Sequence, residues 1–179
     1  MNETTTLCNG IWLRLMKRGR WEYAERTNPG GGVMIIAVTG EDKLLFVEQF
    51  RPALDCRTIE MPAGLVGDQA QARDEDAVAA AHRELVEETG YAAGRIEYIM
   101  AGPTSAGMSN EILAFVRAHD LKRIEAGGGD DTEDIVVHEI PRHEAARWLV
   151  ERMAEGCSVD PKIFAGLYFL DNEASMRGA

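Results

Sequence analysis

Three glutamates, Glu84, Glu87 and Glu88, crowd into the stretch HRELVEETGY, residues 82 to 91. Like charges at helical spacing cost about 0.2–0.5 kcal/mol per pair. Such crowding implies either a solvated helix face or a cation held opposite. At about 100° per residue, Val78, Ala81 and Leu85 form the apolar stripe of a helix here. Glu84 and Glu88 flank one edge of that stripe, and Glu87 lies farther round, near Arg83. Carboxylates at the margin of a core are poorly hydrated, which raises the cost of their charge. A divalent cation removes that cost, and hard oxygen donors suit Mg²⁺ or Mn²⁺. On spacing alone, a solvated helix remains the alternative.

The elements that position these residues are legible from pattern. Asp74 is a candidate cap for a helix over 74 to 89, with acidic residues in the first turn, alanines in the middle and Gly90 just beyond the end. Before it, WEYAER (21 to 26) alternates like a strand, and NPGGG (28 to 32) reads as a turn or hinge. VMIIAV (33 to 38) and KLLFVEQF (43 to 50) read as two strands of a hairpin, and IEMPAG (59 to 64) as a short strand. Strands follow at 95 to 100, 112 to 118 and 135 to 140, then helices at 142 to 154 and 161 to 171. The order gives an α+β fold with a mixed sheet, divided into an N-terminal strand segment (1 to 32) and a main domain (33 to 179).

Bulk properties narrow the function. Nineteen basic against thirty acidic residues leave a net charge of −11, which disfavours a nucleic-acid partner in the absence of a segregated basic patch. The short basic run RLMKRGR (14 to 20) reads as a strand or turn with solvated charges. No apolar run is long enough to span a membrane, and the first residues lack an export signal, so a cytoplasmic protein is expected. Cys8, Cys56 and Cys157 lie far apart and read as idle thiols. His82, His119, His138 and His143 show no ligand spacing.

Glu75, seven residues, then Arg83-Glu84-Leu85-x-Glu87-Glu88-x-Gly90-Tyr91 resembles the Nudix box. The glycine that opens that pattern belongs at position 69, which is Gln69; Gly64 in EMPAGL stands eleven residues before Glu75, as if five residues were inserted in a loop, which loops tolerate cheaply. WEYAER, LLFVEQFRP, EMPAGL, TEDIVVHEIP and DPKIFAGLYFL further resemble the Nudix subgroup that hydrolyses ADP-ribose and other nucleoside diphosphate sugars.

The resemblance implies a mixed sheet sandwiched between helices, an N-terminal β appendage, Mg²⁺ or Mn²⁺, and commonly a homodimer with exchanged N-terminal strands. It implies metal ligation by Glu84, Glu88, Glu87 and the carbonyl of Ala63, with Arg83 orienting a glutamate. It implies a late-loop general base, Glu133, with Asp131 and Asp134 within alignment slippage and Glu87 next in line. Gly127, Gly128 and Gly129 would let that loop close over substrate. Arg51, Arg26 and Glu60 are implied on the substrate side. Trp12, Trp21 and Tyr23 would stack on a nucleobase or pack at a dimer interface.

ADP-ribose hydrolases of this kind carry a proline sixteen residues beyond the box glycine, where this chain has Ala106. That leaves GDP-mannose and other nucleoside diphosphate sugars as substrates beside ADP-ribose. A nucleotide-sensing module without activity, or a hydrolase of dinucleoside polyphosphates or capped RNA, is the alternative class.

Overall fold

The computed structural model describes residues 3–28, 30–68, 74–129 and 134–173. Three strands, β1 (Thr4–Asn9), β2 (Leu13–Arg18) and β3 (Trp21–Arg26), form a separate antiparallel sheet at the N-terminus. RLMKRGR is both strand and turn: it supplies β2 and the tight β2–β3 connection at Gly19, whose φ is 62°. The sheet is tied to the body where the Ala24 N–H donates to the Met108 carbonyl at 2.8 Å.

The body continues through β4 (Gly32–Ala37), β5 (Lys43–Arg51), β6 (Cys56–Glu60), β7 (Ala63–Leu65), α1 (Ala77–Thr89), β8 (Tyr91–Ala92), β9 (Arg95–Pro103) and β10 (Ile112–His119). It ends with β11 (Lys122–Arg123), β12 (Ile135–Pro141), α2 (Ala145–Ala154), β13 (Ser158–Val159) and α3 (Lys162–Asp171). Two four-stranded sheets result, β7-β4-β10-β9 and β12-β5-β6-β13. Each is mixed, because β10 runs parallel to β4 and β13 parallel to β6. The α+β expectation with an N-terminal strand appendage holds.

The expected hairpin of residues 33 to 50 does not form. β4 and β5 belong to different sheets, and the backbone pairing at their junction is a single Val38–Leu44 bridge. The reason lies in β4, every residue of which is buried. Both its edges are taken, by β7 and β10, so no edge is left for β5. Its side chains alternate between two cores, as strand geometry requires. Val33, Ile35 and Ala37 pack with Ala80, Ala81 and Leu85 of α1. Met34 and Ile36 pack with Leu149 of α2 and Ile163 and Leu170 of α3.

Helix α1 starts later than the sequence suggested. Its cap is Asp76, not Asp74: the Asp76 carboxylate accepts the N–H groups of Val78 and Ala79 at 3.0 and 2.9 Å, and the first turn holds no acidic residue. Val78 is only half-buried, and Ala80 fills the core in its place. Gly90 closes the helix in the left-handed conformation at φ 76°. Among the described residues no helix is long and apolar enough to cross a membrane.

Candidate active site

One face of α1 is buried although it is acidic. Glu84 and Glu88 retain 8% and 2% of their accessible surface, whereas Glu87 is partly exposed. This places them where the wheel put them, at the core margin. The β7 segment faces Glu84 and Glu88: the Ala63 N–H donates to Glu88 Oε2 at 2.9 Å. Glu84 lies against Gly64, where an added β-carbon would stand 1.9 Å from its carboxyl carbon. Only a residue without a side chain lets the carboxylate in, which gives the PAG turn its physical meaning.

Arg83 ties the site together. Its Nη1 donates to Glu84 at 2.8 Å and Glu87 at 3.1 Å; its Nη2 donates to Glu75, Asp68 and the Leu65 carbonyl at 2.8, 2.9 and 3.0 Å. Its Nε, also buried, has no partner among the described residues. Glu75, a box residue with no role expected from the pattern, braces Arg83 and also accepts the Gly67 N–H at 2.9 Å. Two of the three glutamates bonded to this arginine, Glu75 and Glu84, diverge. Burial would raise both carboxyls. For Glu75, hydrogen bonds from Arg83 and Gly67 outweigh burial and hold its carboxyl below the usual range. For Glu84 burial wins over Arg83, and its carboxyl is pushed up to about 7.

These carboxylates head a cleft of about 500 Å³. Arg51 also lines it and gives Nε and Nη2 to the two oxygens of Glu60 at 2.6 and 2.7 Å. Arg26, at its edge, pairs with Glu111, which also accepts the Thr104 hydroxyl at 3.0 Å. A larger cleft of about 700 Å³ adjoins beyond Arg26 and Glu111, but it contains neither Glu84 nor Glu88.

Among the described residues no three His, Cys, Asp or Glu side chains converge closely enough to hold an ion as they stand. The donor set nevertheless fits a hard divalent cation. Two buried carboxylates sit one helical turn apart, one of them with its carboxyl pushed up by burial, beside a turn that presents backbone alone.

The structure brings together Glu84, Glu87, Glu88, Ala63, Arg83, Arg51, Glu60 and Arg26 around one cleft. It leaves Trp12 and Trp21 outside: both are exposed, and the Trp21 indole donates to the Gly107 carbonyl at 3.3 Å. Glu133, Asp131 and Gln69 lie outside the described residues. Asp134 does not reach the cleft, because Arg57 donates to its carboxylate at 3.0 Å and to its carbonyl at 3.2 Å. The glycines that were expected to let the loop move are instead packed on α1. Gly128 and Gly129 donate their N–H groups to the carbonyls of Glu88 and Glu87 at 2.8 and 3.0 Å. A β-carbon on Gly127 would come within 2.3 Å of the Thr89 carbonyl carbon. Close approach, with φ positive at all three, accounts for the triple glycine.

The sequence reading missed Glu111, Thr104, Gln49, Asp68, Asp160 and Lys162, all of which line the cleft. The signal for Glu111 was its place just before the buried run of β10, at a strand mouth. His138 and His119 pair with Glu48 and Glu97 away from the cleft.

Residues 28–156 match the family model of the NUDIX domain. The chain belongs to the Nudix family. The chain is 33% identical over 138 residues to a methanol dehydrogenase activator of Bacillus methanolicus and to an ADP-ribose pyrophosphatase of Bacillus subtilis, each match covering 76% of this chain and 72% of the relative. It is 34% identical over 136 residues to a GDP-mannose pyrophosphatase of Enterobacter, covering 72% and 67%. The crystal structure of an ADP compounds hydrolase superposes with a TM-score of 0.71 over 98% of this chain and 94% of that one, at 16% identity, which speaks to the Nudix fold alone. The box resemblance, the fold class and the expectation of a Nudix pyrophosphohydrolase are borne out by these matches.

Proposed function

We propose that this Nudix enzyme hydrolyses the pyrophosphate bond of a nucleoside diphosphate sugar of the ADP-ribose or GDP-mannose type, giving a nucleoside monophosphate and a sugar phosphate, with Mg²⁺ as cofactor and Mn²⁺ able to replace it. The observation that carries the reading is the pair of buried carboxylates, Glu84 and Glu88, lining one cleft together with Arg51. Such a cleft offers anionic donors to a metal and cationic donors to phosphate. The relatives named for ADP-ribose and GDP-mannose support the substrate class.

Glu84, Glu88, Glu87 and the Ala63 carbonyl hold the metal in this reading, and Arg83 orients the carboxylates. A divalent cation there neutralises phosphoryl oxygens and acidifies water. Arg51, fixed by Glu60, and Arg26 position the substrate. Glu133 accepts the proton of the attacking water. Trp12 and Trp21 serve a homodimer, formed through the N-terminal sheet, or a base bound at it. The exposure of Leu7, Trp12, Leu15 and Trp21 supports a second copy of this chain as the cover. A cytoplasmic location goes with this chemistry.

The test is turnover of a panel of nucleoside diphosphate sugars, dinucleoside polyphosphates and capped RNA, with products identified by chromatography, with and without EDTA. Cleavage of a sugar nucleotide that stops on chelation is expected. Glu84→Gln and Glu88→Gln should each lower kcat about a hundredfold or more. Undiminished turnover in excess EDTA sinks the reading.

A further inference from the structure

The cleft that the carboxylates of α1 line also takes residues from the β6–β13 pair. Ser158 and Val159 run parallel to Thr58 and Ile59, and the Asp160 N–H donates to the Ile59 carbonyl at 2.9 Å. The ladder therefore carries Asp160 alongside Glu60. Both carboxylates are buried, at 9% and 7% exposure, and each backs a cation that lines the cleft. Glu60 takes two nitrogens of Arg51. Asp160 Oδ2 takes the Lys162 ammonium at 2.6 Å, while its Oδ1 accepts the Lys162 backbone N–H at 2.9 Å. Lys162 is thus held by both its backbone and its head.

Nothing in the hydrolase reading uses this lysine, and the sequence did not single it out. An exposed lysine adds little by its charge alone, because its long side chain is free to wander. Here the ammonium is fixed by a buried carboxylate, at the first residue of α3. An ammonium carries three donors, and the contact with Asp160 uses one. The cleft that Glu84 and Glu88 line therefore also presents two braced cations, Arg51 and Lys162.

We propose that Lys162 is a substrate-binding residue, which takes phosphoryl oxygens of the diphosphate in the cleft that Glu84 and Glu88 also line, and that Asp160 positions it. This rests on the hydrolase reading for its substrate. Because the contact exists in ground state and transition state alike, its loss should appear in KM rather than kcat. A lysine that served only to start α3 would affect thermal stability and leave KM alone.

The experiment uses the full chain with Mg²⁺ and compares wild type, Lys162→Met and Lys162→Arg. It reads kcat and KM on a cleaved nucleoside diphosphate sugar, and Kd for ADP and GDP by calorimetry. Lys162→Met is expected to raise both KM and the ADP Kd about tenfold or more, the scale of a lost charged hydrogen bond, with kcat changed less than about threefold. Lys162→Arg should recover most of the affinity, since a guanidinium also binds phosphate. Unchanged KM and Kd in Lys162→Met, with a lowered Tm, overturn the proposal and leave the hydrolase reading standing. Wild type that binds ADP but cleaves no sugar nucleotide sinks the hydrolase reading, and the ADP Kd values then decide the role of Lys162 alone. Wild type that binds neither ADP nor GDP and cleaves no sugar nucleotide overturns both.

Discussion

Glu84 rests its carboxylate on the backbone of Gly64, so closely that a β-carbon there would stand 1.9 Å from the carboxyl carbon. Gly64→Ala should therefore act as a mutation of Glu84 at a distance. A fall in kcat of about a hundredfold is expected, and Glu84→Gln in the Gly64→Ala background should add little further loss. A double-mutant cycle measures this coupling. Additive losses would show that Gly64 acts on something else.

Burial that pushes the Glu84 carboxyl up to about 7 also makes a statement about stability. Its ordinary value is 4.5, so the folded value lies above the unfolded one. The stabilisation this group gives is fully present below about 4.5 and is lost as pH rises through about 7, at ~1.4 kcal/mol per pH unit between the two values. Metal-free protein in EDTA should thus have a higher denaturation midpoint at pH 5.5 than at pH 8.5 on account of this residue. Glu84→Gln should flatten that trend and be the more stable protein at pH 8.5. Equal slopes for the two proteins would refute the assignment.

Glu133→Gln should lower kcat strongly while leaving metal and substrate affinity nearly unchanged, as expected of a base that acts in the transition state. Asp134→Asn should be much milder for kcat, because the Asp134 carboxylate is engaged by Arg57 and does not line the cleft. Single-turnover kinetics on both variants and on Asp131→Asn distinguish them. Should Asp131→Asn alone be inactive, the role of base moves to it.

The N-terminal sheet should pair with a second copy. Light scattering at micromolar concentration is expected to give twice the 19.7 kDa of one chain. Trp12→Asp, at an exposed apolar position of that sheet, should shift the equilibrium to monomer. A monomeric wild type would remove the dimer from the proposal.

What could be read from the sequence was whatever depended on local periodicity. The two sides of α1 followed from its apolar stripe, and the strands from their alternation. What failed was decided by non-local partners. β4 and β5 look like a hairpin because both are apolar and a short turn joins them, yet the edges of β4 are claimed by β7 and by β10, some eighty residues downstream. Asp74 and Asp76 are both acceptable caps, and the choice fell to Asp76, which left the neighbouring Glu75 to reach Gly67 and Arg83. Asp160 and Lys162 stayed hidden because they come to the cleft only through a two-residue parallel ladder with β6. No periodicity can announce a ladder so short.

The three glycines of residues 127–129 bear on how the molecule comes apart. A helix usually frays from its C-terminus, where the last carbonyls have no partner within the helix. In α1 the carbonyls of Glu87 and Glu88 are taken by amides from a segment some forty residues away. Fraying of that turn must release the glycines, and release of the glycines must bare that turn. The helix end and the strap belong to a single cooperative unit. The amide hydrogens of Gly128 and Gly129 should exchange with solvent at the pace of the helix end on which they lie, rather than at the pace of a surface loop.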